Sequence, residues 1–125
     1  MQGLHLTADL HNCRCDPAWL SDAQQLADWS QGALQSLGLA PASQLFQGFA
    51  GPDGKPGGLS AAVVLPGAHL AMHSRLAQKA VILDVCITDA VTAHAAIAQQ
   101  LMQLLAERFS PEWTEQRSLD RGDES

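Results

Sequence analysis

The sequence predicts an α+β fold: a two-layer sandwich with a mainly antiparallel sheet and two long helices on one of its faces. Three observations point there. Leu4 to His11 alternates strictly, with Leu4, Leu6, Ala8 and Leu10 on one side and His5, Thr7, Asp9 and His11 on the other, which is the period of a half-buried strand. Two later segments instead carry apolar residues at helical spacing. The elements follow in the order strand, helix, three or four strands, helix, and then a strand-like tail.

After the first strand, Asn12 to Pro17 reads as a polar turn. Ser21 with Gln24 three residues on is a capping-box signal. The helix it opens has the stripe Ala23, Leu26, Ala27, Ala33, Leu34, Leu37, and Gly38 is a natural stop. Gln44 to Ala50 is a second strand, with Leu45, Phe46 and Phe49 as its apolar members. Gly51 to Gly58 is an eight-residue turn with little to pack. Leu59 to Leu65 is a buried strand that Pro66-Gly67 ends, since proline donates no ladder hydrogen bond. His69 to His73 and Ala80 to Ile87 are two more strands. Asp89 opens the second helix, whose face is Val91, Ala95, Ile97, Ala98, Leu101, Met102, Leu105 and Phe109, with Thr88 as its N-cap. Arg108 in its last turn suits the negative end of the helix dipole. Trp113 to Leu119 is an edge strand, residues 1–119 form one domain, and Asp120 to Ser125 is a frayed tail.

Composition sets the function classes. Of 125 residues, 46% are hydrophobic and 16% charged, which describes one globular domain able to bury roughly two-thirds of its unfolded surface. The net charge of −6, with only Lys55, Lys79 and five scattered arginines, argues against nucleic acid, which needs clustered cations. No apolar run approaches the ~20 residues that span a bilayer, and the start of the chain lacks a signal-peptide pattern. A cytoplasmic protein with no membrane partner is expected. Cys13, Cys15 and Cys86 make a poor disulfide framework, which fits a reducing compartment.

The most telling stretch runs from Val63 to His73, with Pro66-Gly67-Ala68-His69-Leu70-Ala71-Met72-His73 at its centre. It resembles the self-cleavage segment of the small prokaryotic S-adenosylmethionine decarboxylases, where an apolar strand leads into Glu-Ser-His-Leu-Ser-Ile-His. The resemblance is collinear over most of the chain. Gly3-Leu4-His5-Leu6 looks like the family's opening Gly-x-His-Leu, and Cys15-Asp16-Pro17 like its Gly-Cys-Asp-Pro turn, with a short insertion. Phe46-Gln47-Gly48-Phe49 is similar to Phe-His-Arg-Phe, with a longer turn after it, and Leu59 to Leu65 to Val-Ser-Gly-Val-Val-Val-Ile. Ala80 to Val85 resembles Ala-Ala-Val-Asp-Val, and Leu119-Asp120-Arg121-Gly122 the closing Arg-Gly.

The resemblance implies a specific chemistry. In the family a serine hydroxyl attacks the carbonyl before it, and the chain breaks to leave a pyruvoyl group that serves as electron sink when carbon dioxide departs. A strand serine and a histidine assist processing, and a cysteine acts as acid in turnover. Carried over by position, the processing serine matches Ser60 and the histidine His73, both retained. The nucleophile matches Ala68, which has no hydroxyl; the glutamate before it matches Gly67, and the cysteine matches Thr88, whose hydroxyl is far too weak an acid. Cys86, two residues along the same strand, shares a face with Thr88. Neither Ser60 nor Ser74 has the strained setting that self-cleavage needs. The expectation is an unprocessed chain without a pyruvoyl cofactor: a decarboxylase fold that has lost its decarboxylase.

What such a protein binds is read from the remaining residues. His5, Phe46, His69, His73, Asp84 and Cys86 are the ligand-binding candidates, for an S-adenosylmethionine-like or polyamine-like molecule. Asp84 in an apolar strand needs a partner if it points inward, and otherwise faces solvent. Trp19, Trp29, Phe46 and Phe49 offer aromatic surface for a purine, although such side chains commonly fill cores. His11-x-Cys13-x-Cys15 suggests a metal site if the first strand lies beside the one bearing His69 and His73, but lacks the Cys-x-x-Cys spacing of strong zinc motifs. The family assembles by packing its sandwiches together, so a homodimer is implied, with an active paralogue as the other possible partner. Two alternatives stay open at this level: an active decarboxylase of S-adenosylmethionine or a related amino acid, and a metal-binding module.

Overall fold

The computed structural model describes residues 1–122. Its elements are β1 (Gln2–Cys13), a 3₁₀ turn (Pro17–Leu20), α1 (Ala23–Ser36), β2 (Ser43–Ala50), β3 (Pro56–Leu65), β4 (Ala68–Arg75), β5 (Ala80–Thr88), α2 (His94–Phe109) and β6 (Pro111–Gly122). All six strands form one antiparallel sheet in the order β2-β3-β4-β5-β1-β6. The α+β two-layer architecture is therefore as the alternation and the element order predict.

One face of the sheet is the core. Leu4, Leu6, Ala8 and Leu10 of β1 point into it with Val81, Leu83, Val85 and Ile87 of β5 and Leu70 and Met72 of β4. Above them α2 lies over β1 and β5 and presents Ala98, Leu101, Met102, Leu105 and Phe109. Among the described residues the two helices thus leave the other face of the sheet uncovered, and that face carries the polar residues that alternate with the core in β1, including His5, Thr7, Asp9 and His11. No helix among the described residues is long and apolar enough to cross a membrane.

Element ends differ from the sequence reading for identifiable reasons. The turn expected from Asn12 starts later, because β1 continues to Cys13 and Asp16 then caps the 3₁₀ turn by accepting from the Ala18 N–H. The cap of α1 is Asp22, which accepts from the Gln25 N–H at 3.1 Å; Ser21 instead donates to the Pro17 carbonyl. Pro56 to Gly58, expected in the turn, begin β3. Helix α2 begins at His94 rather than Asp89. Asp89 is held by the sheet: its N–H donates to the Gln2 carbonyl and its carboxylate accepts from the Gln2 N–H. Thr88 is not a cap, and its hydroxyl turns to Gly67.

The tail also needs correcting. Asp120, Arg121 and Gly122 are not frayed but pair with Leu4, Gly3 and Gln2, so β6 runs past the expected domain end at residue 119. Residues 123–125 of the expected tail lie outside the described residues.

Candidate functional site

Strand register places three groups of side chains: one at the hairpin tip, where Ala68 turns to the core side and Thr88 to the open side, and two on the uncovered face. The first is at the tip of the β3–β4 hairpin. Pro66 and Gly67 make the turn, and Ala68 opens β4 opposite Leu65 and beside Ile87 of β5. Gly67 has φ +70, and a Cβ there would sit 2.5 Å from the Ala90 Cβ and 2.9 Å from the Thr88 Oγ1. Only glycine fits this position, so the glutamate the resemblance implies here has no room. The Gly67 carbonyl accepts from both the Thr88 N–H at 2.9 Å and the Thr88 hydroxyl at 2.7 Å. Two donors on one carbonyl resemble an oxyanion hole in form, but the residue that follows is Ala68, with a methyl group where a nucleophile would stand. The residues present do not fit a pyruvoyl group made by the family's route.

The second group lies across β3 and β4. Ser60 stands opposite His73 in the register, and its hydroxyl shares a 2.8 Å hydrogen bond with His73 Nδ1. The pair borders a cavity of about 1020 Å³ between the 51–57 loop and the 76–79 turn, whose lining includes Phe49, Asp53, Arg75 and Ile82. His73 is five residues along β4 from Ala68, about 17 Å at the rise of an extended strand. Ser60 and His73 therefore do not converge with Ala68 and Thr88 within one chain.

Between these groups runs a row set by register: Val64, His69, Cys86, His5 and Leu119. His5 Nε2 is paired with the Asp84 carboxylate, which is 46% exposed. Asp84 thus faces outward, as expected, but its partner is His5 rather than water alone. Of the ligand-binding candidates, His5, His69, Asp84 and Cys86 form this central patch and His73 belongs to the cavity. Phe46 is on the other side of the sheet, opposite Ala61 and packed on the core, and it does not reach the site. The aromatic residue at the cavity is Phe49, 56% exposed. Period-two counting from Phe46 places the two on opposite faces, because they are three positions apart. Arg75, missed from sequence, shares the face of His73 two residues along β4 and is the cation of the cavity wall.

Trp19 and Trp29 meet edge to face at 6.4 Å, and the Arg108 guanidinium stands 3.9 Å over Trp19. Both belong to the helix layer rather than the open face.

The strand pairing on which the metal reading depends is not met. β5 separates β1 from β4, so the strands are not neighbours. His11 stacks on Trp113 with ring centroids 3.7 Å apart and stands 3.5 Å from Glu115. Cys13 is buried in the core, where desolvation, reinforced by Cys15, pushes its thiol up to about 11. Burial likewise raises the Cys15 thiol. Among the described residues no three His, Cys, Asp or Glu side chains gather as a metal site.

No curated protein matches the sequence. Among solved structures, the adenosylmethionine decarboxylase from Aquifex aeolicus VF5 superposes with a TM-score of 0.81 over 98% of this chain and 92% of that one, at 20% identity. That likeness speaks for the fold. The family model described as S-adenosylmethionine decarboxylase matches residues 4–122, from the first core leucine to the end of β6, and by that match the chain belongs to the S-adenosylmethionine decarboxylase family.

Proposed function

We propose that this protein is an unprocessed, non-catalytic member of its family, which senses a small molecule or modulates a partner in polyamine metabolism. One observation carries the reading. The carbonyl that processing would attack is held by Thr88, and the next residue is Ala68. Without a hydroxyl no ester forms, so no chain break and no pyruvoyl electrophile follow. Thr88 at the acid position repeats the loss, since a hydroxyl bonded to a carbonyl is no proton donor near neutral pH.

The ligand site of this reading is the cavity beside Ser60 and His73. Arg75 and Asp53 bring both charge signs to it, and Phe49 adds an exposed ring. That set suits a zwitterion with a flat ring, such as S-adenosylmethionine, better than a polycation such as spermidine. A homodimer completes the arrangement. Leu45, Val64 and Ile82 are each more than half exposed on the open face, and a second copy or an active relative packed there removes them from water.

Two measurements test the proposal. Purified protein given carboxyl-labelled S-adenosylmethionine releases no labelled carbon dioxide; release above a boiled control overturns the non-catalytic reading. Calorimetry with S-adenosylmethionine gives heat that Phe49→Ala diminishes. No heat with either S-adenosylmethionine or spermidine removes the sensing role and leaves partner modulation.

A further inference from the structure

Strand β6 is an edge of the sheet. β1 takes one side of it in unbroken register from Gln2 and Gly122 to Cys13 and Pro111. The other side presents alternate N–H and C=O groups with no strand beside them among the described residues. The far edge of the sheet is managed differently. β2 has 8 residues and its register shifts between Phe49 and Ala50, an irregularity of the kind that protects edges. β6 has 12 residues and no such shift.

The central residues of β6 read Trp113-Thr114-Glu115-Gln116-Arg117-Ser118-Leu119. This run is chemically self-complementary about Gln116. An antiparallel copy centred there sets Glu115 against Arg117, Thr114 against Ser118, and Trp113 against Leu119. The register with β1 places Trp113, Glu115, Arg117 and Leu119 on the open face, opposite His11, Asp9, Thr7 and His5. Trp113 is 52% and Leu119 58% exposed, and each would cover the other. Within one chain Arg117 Nη2 is 2.9 Å from Glu115. Pairing would therefore create a quartet in which each charge has opposite charges both along and across the strands. Cross-strand opposite charges and apolar pairs are the units that stabilise antiparallel sheets.

We infer that the β6 edge is a docking surface for β6 of a second copy of this chain, which joins two six-stranded sheets into one. The contact is separate from the open-face association proposed above and does not depend on it or on the absence of catalysis.

Gln116 separates the two contacts experimentally. It pairs with Ala8, whose side chain lies in the core, so it is on the helix side of the sheet. It also lies on the proposed two-fold axis. Gln116→Cys under mild oxidation forms a disulfide-linked dimer. Ser118→Cys does not, because its counterpart there is Thr114, and wild type treated in parallel sets the background from the native cysteines. Charge reversal gives the second readout, by sedimentation equilibrium. Glu115→Arg and Arg117→Glu each weaken association by about tenfold, since two attractive cross-strand pairs become repulsive. An equimolar mixture of the two variants recovers it, which also shows that neither is misfolded. Equal cross-linking of Gln116→Cys and Ser118→Cys overturns the inference, as does a mixture that associates no better than either variant alone.

Discussion

Gly67 and Thr88 decide what the hairpin tip can do. The glycine occupies a left-handed conformation beside Ala90 and Thr88, and any side chain there is both strained and crowded. Gly67→Ala destabilises the fold by about 1–3 kcal/mol, read as a lower denaturation midpoint at unchanged slope in urea. Thr88→Val removes the hydroxyl donor to the Gly67 carbonyl at little change in volume and costs about 1 kcal/mol. Cys13 gives a pH signature. Burial holds its thiol up to about 11 against an ordinary value of 9.0, so the folded state keeps a proton that the unfolded state gives up. Its contribution to stability is complete below pH 9 and is lost as pH rises toward 11. Thermal melts show a steeper alkaline decline in wild type than in Cys13→Ala, and equal slopes would contradict the assignment. The pairing of Ser60 with His73 was legible in sequence, and the register sets the two opposite each other. Phe46 was misplaced for lack of its partner strand: its face is fixed by pairing with Ala61, which alternation within a short, exposed strand does not reveal.

At the scale of the elements, strands were legible and helix starts were not. Alternation in β1 and the apolar run of β5 are local patterns imposed by one buried face, so they survive in the sequence. Helix α2 starts five residues late because Asp89 and Thr88 spend their hydrogen bonds on Gln2 and Gly67, contacts that join distant parts of the chain. The start of α1 turns on a choice between neighbours, Ser21 and Asp22, that both suit a cap. The structure gives the role to Asp22. Asp22→Ala therefore costs about 1 kcal/mol, measured by chemical denaturation, while Ser21→Ala costs less. The reverse order would restore the capping box read from Ser21 and Gln24. The end of β6 was hidden for another reason: its last residues are exposed and polar, and only pairing with Gln2, Gly3 and Leu4 holds them.

For the whole molecule, the governing fact is a sheet with one face under helices and one face bare. The bare face carries Ser60, His73, Cys86, His5 and Asp84 together with exposed apolar residues, so the proposed ligand site and the proposed association draw on the same surface. Ile82→Asp, on that face beside His73, shifts a dimer formed there toward monomer in sedimentation while leaving the core untouched. An unchanged mass would move association elsewhere. The central claim, however, concerns the covalent state of the chain, and intact mass under denaturing conditions tests it most directly. The account predicts a single species of 13.3 kDa, with no break before Ala68. Two fragments divided at Gly67–Ala68, or at Leu59–Ser60, would show that the chain makes its own electrophile, and would return the protein to the active decarboxylases.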